Sequence, residues 1–206
     1  MRVYSGGGGE MEMVDIIEEK IEKMEKELEE GLEKLSKEIV ENNDKVNIEL
    51  IKKGGFPPQR NYIISVKFEG KWIKKELWSN IKVDFSKDTA IITIGKDKKI
   101  ISVKELVDYL RELIEEFIKT NEHKDAILIK VEVKTRKILE MLKIKCKSLD
   151  CFERDMLTYG ASVELEESTL TLYYDYQLQL AGIEYSNYGN PEDVLNVLKI
   201  LAQHIA

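Results

Sequence analysis

The chain has 206 residues, 43% of them hydrophobic and 34% charged, with a formal net charge of −7. That is enough apolar material for one ordinary core or two small ones without staples. There is no apolar run of the ~18 residues a membrane span needs, so an integral membrane protein is not expected. Lysine greatly outnumbers arginine and only three prolines occur, a bias found in heat-adapted proteins. The opening "MRVYSGGGGE" lacks the apolar core of a secretory leader. The expectation is a cytoplasmic protein from a thermophile.

Charge is segregated along the chain. Residues 10–44 carry fourteen acids against five lysines, residues 45–147 carry 24 bases against 15 acids, and residues 148–206 carry ten acids against two bases. An acidic start and an acidic final third therefore flank a basic middle. Overall acidity argues against a general nucleic-acid binder but leaves room for a local basic surface.

Residues 1–9 read as a disordered glycine-rich tail or a processing remnant. They are not a phosphate loop, because no GK[ST] follows the glycines. Residues 10–44 then form a long acidic helix. Val14, Ile17, Ile21, Met24, Leu28, Leu32, Leu35 and Ile39 recur at steps of three and four with one slip near Gly31, a narrow heptad seam of the coiled-coil kind. Glutamate precedes lysine by four at Glu19/Lys23, Glu22/Lys26, Glu30/Lys34 and Glu33/Lys37, each pair worth ~0.2–0.5 kcal/mol to a helix standing in water. The seam is expected to be an oligomerisation element joining this chain to another copy; the competing reading is that it docks on its own domain.

Residues 45–121 read as an antiparallel meander followed by a helix. The helix frays at "ENNDKVN", and "KKGGFPPQRN" reads as a loop and the best candidate boundary. From Asn61 the period becomes two: "NYIISVKFEG", "KWIKKELW", "IKVDFS", "DTAIITIG" and "KKIISV" are short, β-branched and separated by turn residues. Ser102 and Glu105 then form a capping box ahead of a wide apolar stripe from Val103 to Ile118.

Residues 122–206 read as a second α+β half packed with the first. A strand is predicted over 126–134, a lysine-rich helix over 136–145, a short helix over 149–160, and strands at "ASVELEE", "TLTLYYDY" and "LQLAGIEY". A last helix starts at Asn190 and Pro191. "VDFSKDTAIITI" and "VELEESTLTLYY" align at an offset of 80, which suggests a duplicated sheet-plus-helix unit. The predicted class is α+β: a coiled-coil-like arm, then mostly antiparallel sheet covered by helices.

Chemistry is sparsely marked. No GxSxG, HExxH or dinucleotide fingerprint occurs, and no cofactor or metal site is predicted. Cys146 and Cys151 match neither a redox pair nor a zinc set; they read as two thiols or a small disulfide. The one faint catalytic pattern is Glu132-x-Lys134 on the predicted strand, the spacing of a magnesium-dependent nuclease, with Asp84 or Asp88 as the further acid. Lys130, Lys134, Arg136, Lys137, Lys143, Lys145 and Lys147 cluster on the predicted strand and helix, while Lys67, Lys71, Lys74, Lys75 and Lys82 surround Phe68, Trp72 and Trp78. Either group could meet phosphates and stacked bases. The functional expectation is a non-enzymatic, self-associating interaction protein, open to a further protein partner; nucleic-acid binding through the basic strand and helix is the alternative.

Overall fold

A computed structural model of the chain describes residues 8–55, 58–166 and 168–187, with side chains from residue 16 to residue 186. The fold is α+β. Helix α1 (Gly8–Asn42) precedes five strands: β1 (Val46–Lys52), β2 (Gln59–Glu69), β3 (Lys74–Asp84), β4 (Thr89–Ile94) and β5 (Asp97–Ile101). A 3-10 turn over Val103–Glu105 opens helix α2 (Leu106–Met141), and β6 (Ser148–Asp155), β7 (Thr158–Glu164), β8 (Ser168–Tyr174) and β9 (Leu180–Asn187) follow. Each group of strands is an antiparallel meander in chain order, five strands in one sheet and four in the other. The chain forms two compact units. Unit 1 runs to Glu69 and from Lys74 to Thr120; unit 2 holds Gly70–Ile73 and the chain from Asn121.

In unit 1 the alternation of β2 sends Tyr62, Ile64, Val66 and Phe68 to one face, where all are buried. Their cross-strand neighbours Ile81 and Ile92 continue that layer. Leu28, Leu32, Leu35 and Ile39 of α1 and Leu106, Leu110, Ile114 and Ile118 of α2 are buried in the same unit, which makes a two-layer core of the usual kind. Gly31 lets the two helices approach: a Cβ there would stand 3.1 Å from a Val107 methyl. Further along, Arg111 donates to Glu38 at 2.7 Å. The numbering rises together on both helices, so they run parallel. The capping box reads as expected at its acidic end, with the Ser102 amide donating to Glu105 at 3.3 Å.

In unit 2, Cys151, Ala161, Val163, Leu170, Leu172 and Tyr174 form the buried sheet face, with Leu128, Val131 and Leu139 of α2 buried in the same unit. Gly160 lies between Phe152 and Tyr173 in the ladder. The Phe152 ring lies over the place a Cβ would take, so a side chain here would displace that ring. Phe152 and Tyr173 meet edge to face at 6.4 Å, and Arg154 lies 4.4 Å over the Tyr173 ring.

Several local expectations are corrected. Residues 126–134 are not a strand; they continue α2, which runs unbroken to Met141, and Lys143 leaves it with φ +53°. Residues 149–160 are β6 and the start of β7, not a helix. "KWIKKELW" and "IKVDFS" are one strand, β3, with Trp72 and Ile73 in the turn before it. β1 lies between the stretch expected to fray and the expected loop and overlaps both at its ends; it is a further strand that the sequence reading does not include. The helix expected from Asn190 and the side chain of Val14 lie outside the described residues. No described helix is long and apolar enough to cross a membrane.

Candidate functional site

The heptad seam of α1 divides in two. Its C-terminal part is covered by the chain itself: Leu28, Leu32, Leu35 and Ile39 are 2–7% exposed. Its N-terminal part is not. Ile17 is 54% exposed and its neighbour Ile16 63%, and Ile21 and Met24 are half-buried. The cause is the parallel start of α2. Val107 stands against Gly31, so α1 residues before Met24 extend past the beginning of the helix that would cover them.

The covered stretch is also pinned by charge. Glu25, 13% exposed at its side chain, accepts from Arg60 at 2.6 Å and Lys52 at 2.7 Å. Burial alone would raise its pKa, yet those two cations hold it below the ordinary carboxylate value. Glu29 accepts from the Tyr62 hydroxyl at 3.0 Å and pairs with Lys52 at 2.6 Å; burial and that carboxylate push the phenol's pKa up. Among the described residues, Glu25 is the first of α1 to pair with another element.

Where the two helices part lies a cleft of 450 Å³, floored by Met24, Leu28, Val103 and Val107 and rimmed by Lys20, Lys23, Lys104 and Glu27, the last paired with Lys23 at 3.8 Å. It adjoins the exposed seam. Glu18, Glu19 and Glu22, one turn away, are exposed, so the arm carries both apolar contacts and both signs of charge.

The seven basic candidates fall on one helix and the segment after it, not on a strand and a helix. Lys130, Lys134 and Lys137 share one face of α2 at helical spacing. Three of the seven are engaged: Lys134 donates to the Leu178 carbonyl, Arg136 to Glu132 at 3.0 Å and Lys147 to the Glu166 carbonyl at 3.1 Å. Lys143 and Lys145 follow the helix end and are exposed.

The nuclease-like triplet is not assembled. Glu132 is 5% exposed and accepts from Lys71, Arg136 and the Trp72 indole. Burial would raise its pKa, but Lys71 and Arg136 hold it low. Lys134 points to a different partner, Asp84 is held by Ser86 and Gln59, and Asp88 accepts from the Val103 amide. Among the described residues no group of three His, Cys, Asp or Glu side chains could hold a metal. Cys146 and Cys151 are free thiols, and burial pushes the Cys151 thiol up to about 12.

Two features escaped sequence reading. Asp125 is fully buried and accepts from the amides of Lys71, Trp72 and Ile73 at 3.1, 2.7 and 3.1 Å. A lone aspartate among helical residues carries no sequence mark of this role. The second is the sheet face of unit 1 opposite the helices. There Lys53, Lys82 and Lys98 surround Asn61, Asn80 and Thr93 over a floor of Ile63 and Ile91, forming a shallow depression of 570 Å³. Alternation on β3 could have placed Asn80 and Lys82 together, but their neighbours required the register. No protein-family model matches the chain, and a search of curated proteins finds no match.

Proposed function

We propose that the protein is a non-enzymatic interaction protein that pairs with a second copy of itself through the uncovered N-terminal part of α1. One observation carries this reading: the seam buried at Leu28–Ile39 continues beyond its cover through half-buried Met24 and Ile21 to exposed Ile17, beside an apolar cleft. Antiparallel pairing of two such arms brings Glu18, Glu19 and Glu22 of one copy to Lys20, Lys23 and Lys104 of the other. It also seats Ile17 over Met24, Val103 and Val107. Exposed isoleucines on a helix rich in charge are otherwise a solubility liability.

The test is light scattering on the full chain and on Ile17→Asp/Ile21→Asp, which places unpaired carboxylates in the seam at several kcal/mol per desolvated charge. The wild type is expected as a dimer or larger and the variant as a monomer with the same thermal transition. A monomeric wild type, or a variant of unchanged mass, overturns the reading.

A further inference from the structure

We propose that the open sheet face of unit 1 is a binding platform for single-stranded nucleic acid, with Trp78 as a base-stacking surface and Lys53, Lys82 and Lys98 as phosphate contacts. This surface is separate from the arm of α1 and from the basic face of α2.

The strand register places these residues. Lys82 opposes Asn61 on one side and Ile91 on the other, and Ile91 opposes Ile100. Lys53 donates its amide to the Asn61 carbonyl at 2.8 Å, which puts it at the end of the same row. One step along, Ile51, Ile63, Asn80, Thr93 and Lys98 form a second row, and Glu49, Ser65 and Trp78 a third. At ~4.8 Å between strands the face is ~19 Å wide, and at ~3.4 Å per residue Trp78 lies ~13 Å from Lys82 along β3. That accommodates a strand of ~4 nucleotides, the lower end of what one sheet domain holds.

Charge and exposure choose the partner. Lys53, Lys82 and Lys98 make no ion pair or side-chain hydrogen bond with any described residue, and no acid lines the depression they rim. Three unpaired lysines around a shallow apolar floor favour an extended anion. Trp78 is 47% exposed and Ile100 68%, although each side chain belongs to a sheet that buries its other face. An indole half open to water on a sheet face is a π-surface for bases, and single strands are read on sheets by such stacking. Asn80, one row from the ring, offers its amide to a base edge, while Asn61, beside Lys82, already donates to the Gly54 carbonyl at 3.4 Å. The acids of this face stand beside the ring and at its far end: Glu49 shares the row of Trp78, and Glu76 has Trp78 among its hydrogen-bond partners. Glu76 accepts from Ser65 at 2.6 Å and pairs with Lys67, which Glu49 also flanks, while Asp84 accepts from Ser86 and Gln59. Each of these carboxylates already has a partner. An acidic peptide would use the lysines but not the ring, and a duplex keeps its bases stacked inside the helix, where none can lie on the ring.

The experiment is fluorescence anisotropy with labelled single-stranded RNA and DNA homopolymers of about 10 nucleotides, the matching duplex and polyglutamate, at about 50 and about 200 mM salt. Full-length wild type, Lys82→Glu/Lys98→Glu, Trp78→Ala and Trp78→Phe are compared, with circular dichroism melts to confirm folding. The wild type is expected to bind single strands in preference to duplex and polyglutamate. The lysine variant should lose most of that binding and flatten the log-log salt slope by about 0.7 per phosphate contact removed. Trp78→Ala should weaken binding about tenfold with the slope unchanged, while Trp78→Phe stays close to wild type. Binding by Ile17→Asp/Ile21→Asp should equal wild type, since pairing of arms is a separate matter. No binding at the lower salt overturns the proposal. Equal binding of polyglutamate or duplex overturns it too, as does binding that survives both the lysine and the Trp78→Ala changes.

Discussion

Asp125 offers the sharpest test of how unit 2 is held together. Its carboxylate accepts three successive backbone amides of the turn Gly70–Ile73, and Gly70 closes the turn by donating to the Ile73 carbonyl at 2.8 Å. Asp125→Ala removes the acceptor of all three bonds. A hydrogen bond to a charged group contributes ~1.5–3 kcal/mol net. The full sum overstates the loss, because the Lys71 end of the turn is exposed and can turn to water. A cost of about 4 kcal/mol is expected, or about 10 °C in melting temperature for a chain of this size.

Gly70 supplies the second arm of the cycle. An added Cβ would stand 2.5 Å from the Asp125 carboxyl carbon and 2.6 and 2.7 Å from its oxygens. Gly70 is not among the positive-φ glycines, so crowding rather than backbone strain is what Gly70→Ala introduces, at about 2 kcal/mol. In Gly70→Ala/Asp125→Ala the methyl group enters the space the carboxylate vacates. The double variant should therefore lose about 2 kcal/mol less than the sum of the singles. The chain has two tryptophans, Trp72 in unit 2 and Trp78 in unit 1. A Trp78→Phe background leaves Trp72 as a reporter of unit 2, and urea titration by its fluorescence measures all four corners. Additive losses, or an Asp125→Ala variant within about 1 kcal/mol of its parent, would refute the account of the turn.

Further expectations follow from single contacts. Tyr174→Phe removes the 2.8 Å partner of the fully buried Thr135 hydroxyl and should cost ~1–2 kcal/mol by urea titration; Thr135→Val in the same background should recover part of it. Cys151, with a thiol pKa raised to about 12 by burial, should resist a thiol reagent at neutral pH until the chain is unfolded. Glu25 and Glu132 both titrate below the ordinary value of 4.5. They stay charged in the folded chain where the unfolded chain takes up protons, so their contribution is full above that value and is lost as pH falls through the lower, folded ones. Melting temperature should drop on acidification below about pH 4.5, and Glu25→Gln should lower stability at neutral pH while making the acid limb shallower.

The class of fold is legible because strands β2 and β4 and the start of α2 carry periods of their own kind. β3 was split in reading because Ser79 and Asn80 look like a turn; in the sheet Ser79 is buried, and Asn80 opposes Ile63 and Thr93. β6 was taken for a helix because "LDCFERDMLTYG" spaces its apolar residues at three and four. Its true alternation has Cys151 buried, with Asp150 on the opposite side. The α1 seam was legible as a seam, but where its cover ends depends on where α2 begins beside it, a tertiary fact. The depression on the open face of unit 1 joins residues from β2, β3, β4 and β5 and Lys53 just after β1, which only the register brings together.

The longest misreading has the clearest physical cause. In unit 2, α2 buries Asn121, Asp125, Leu128, Glu132, Thr135 and Leu139, at steps of four, three, four, three and four, a regular helical stripe. Four of these six are polar, so hydrophobicity alone shows no stripe. Three of these four are held there by hydrogen bonds: Asp125 caps the turn, Glu132 gathers Lys71, Trp72 and Arg136, and Thr135 meets Tyr174. Meanwhile Ile127, Ile129, Val131 and Val133 alternate by two and imitate a strand. The same change of period dissolves the apparent nuclease triplet. Residues two apart share a face of a strand but lie ~200° apart around a helix, so Glu132 goes to the interior and Lys134 to the surface. What looked like a metal ligand beside a water-orienting lysine is a buried ion-pair acceptor and an exposed cation that do not meet.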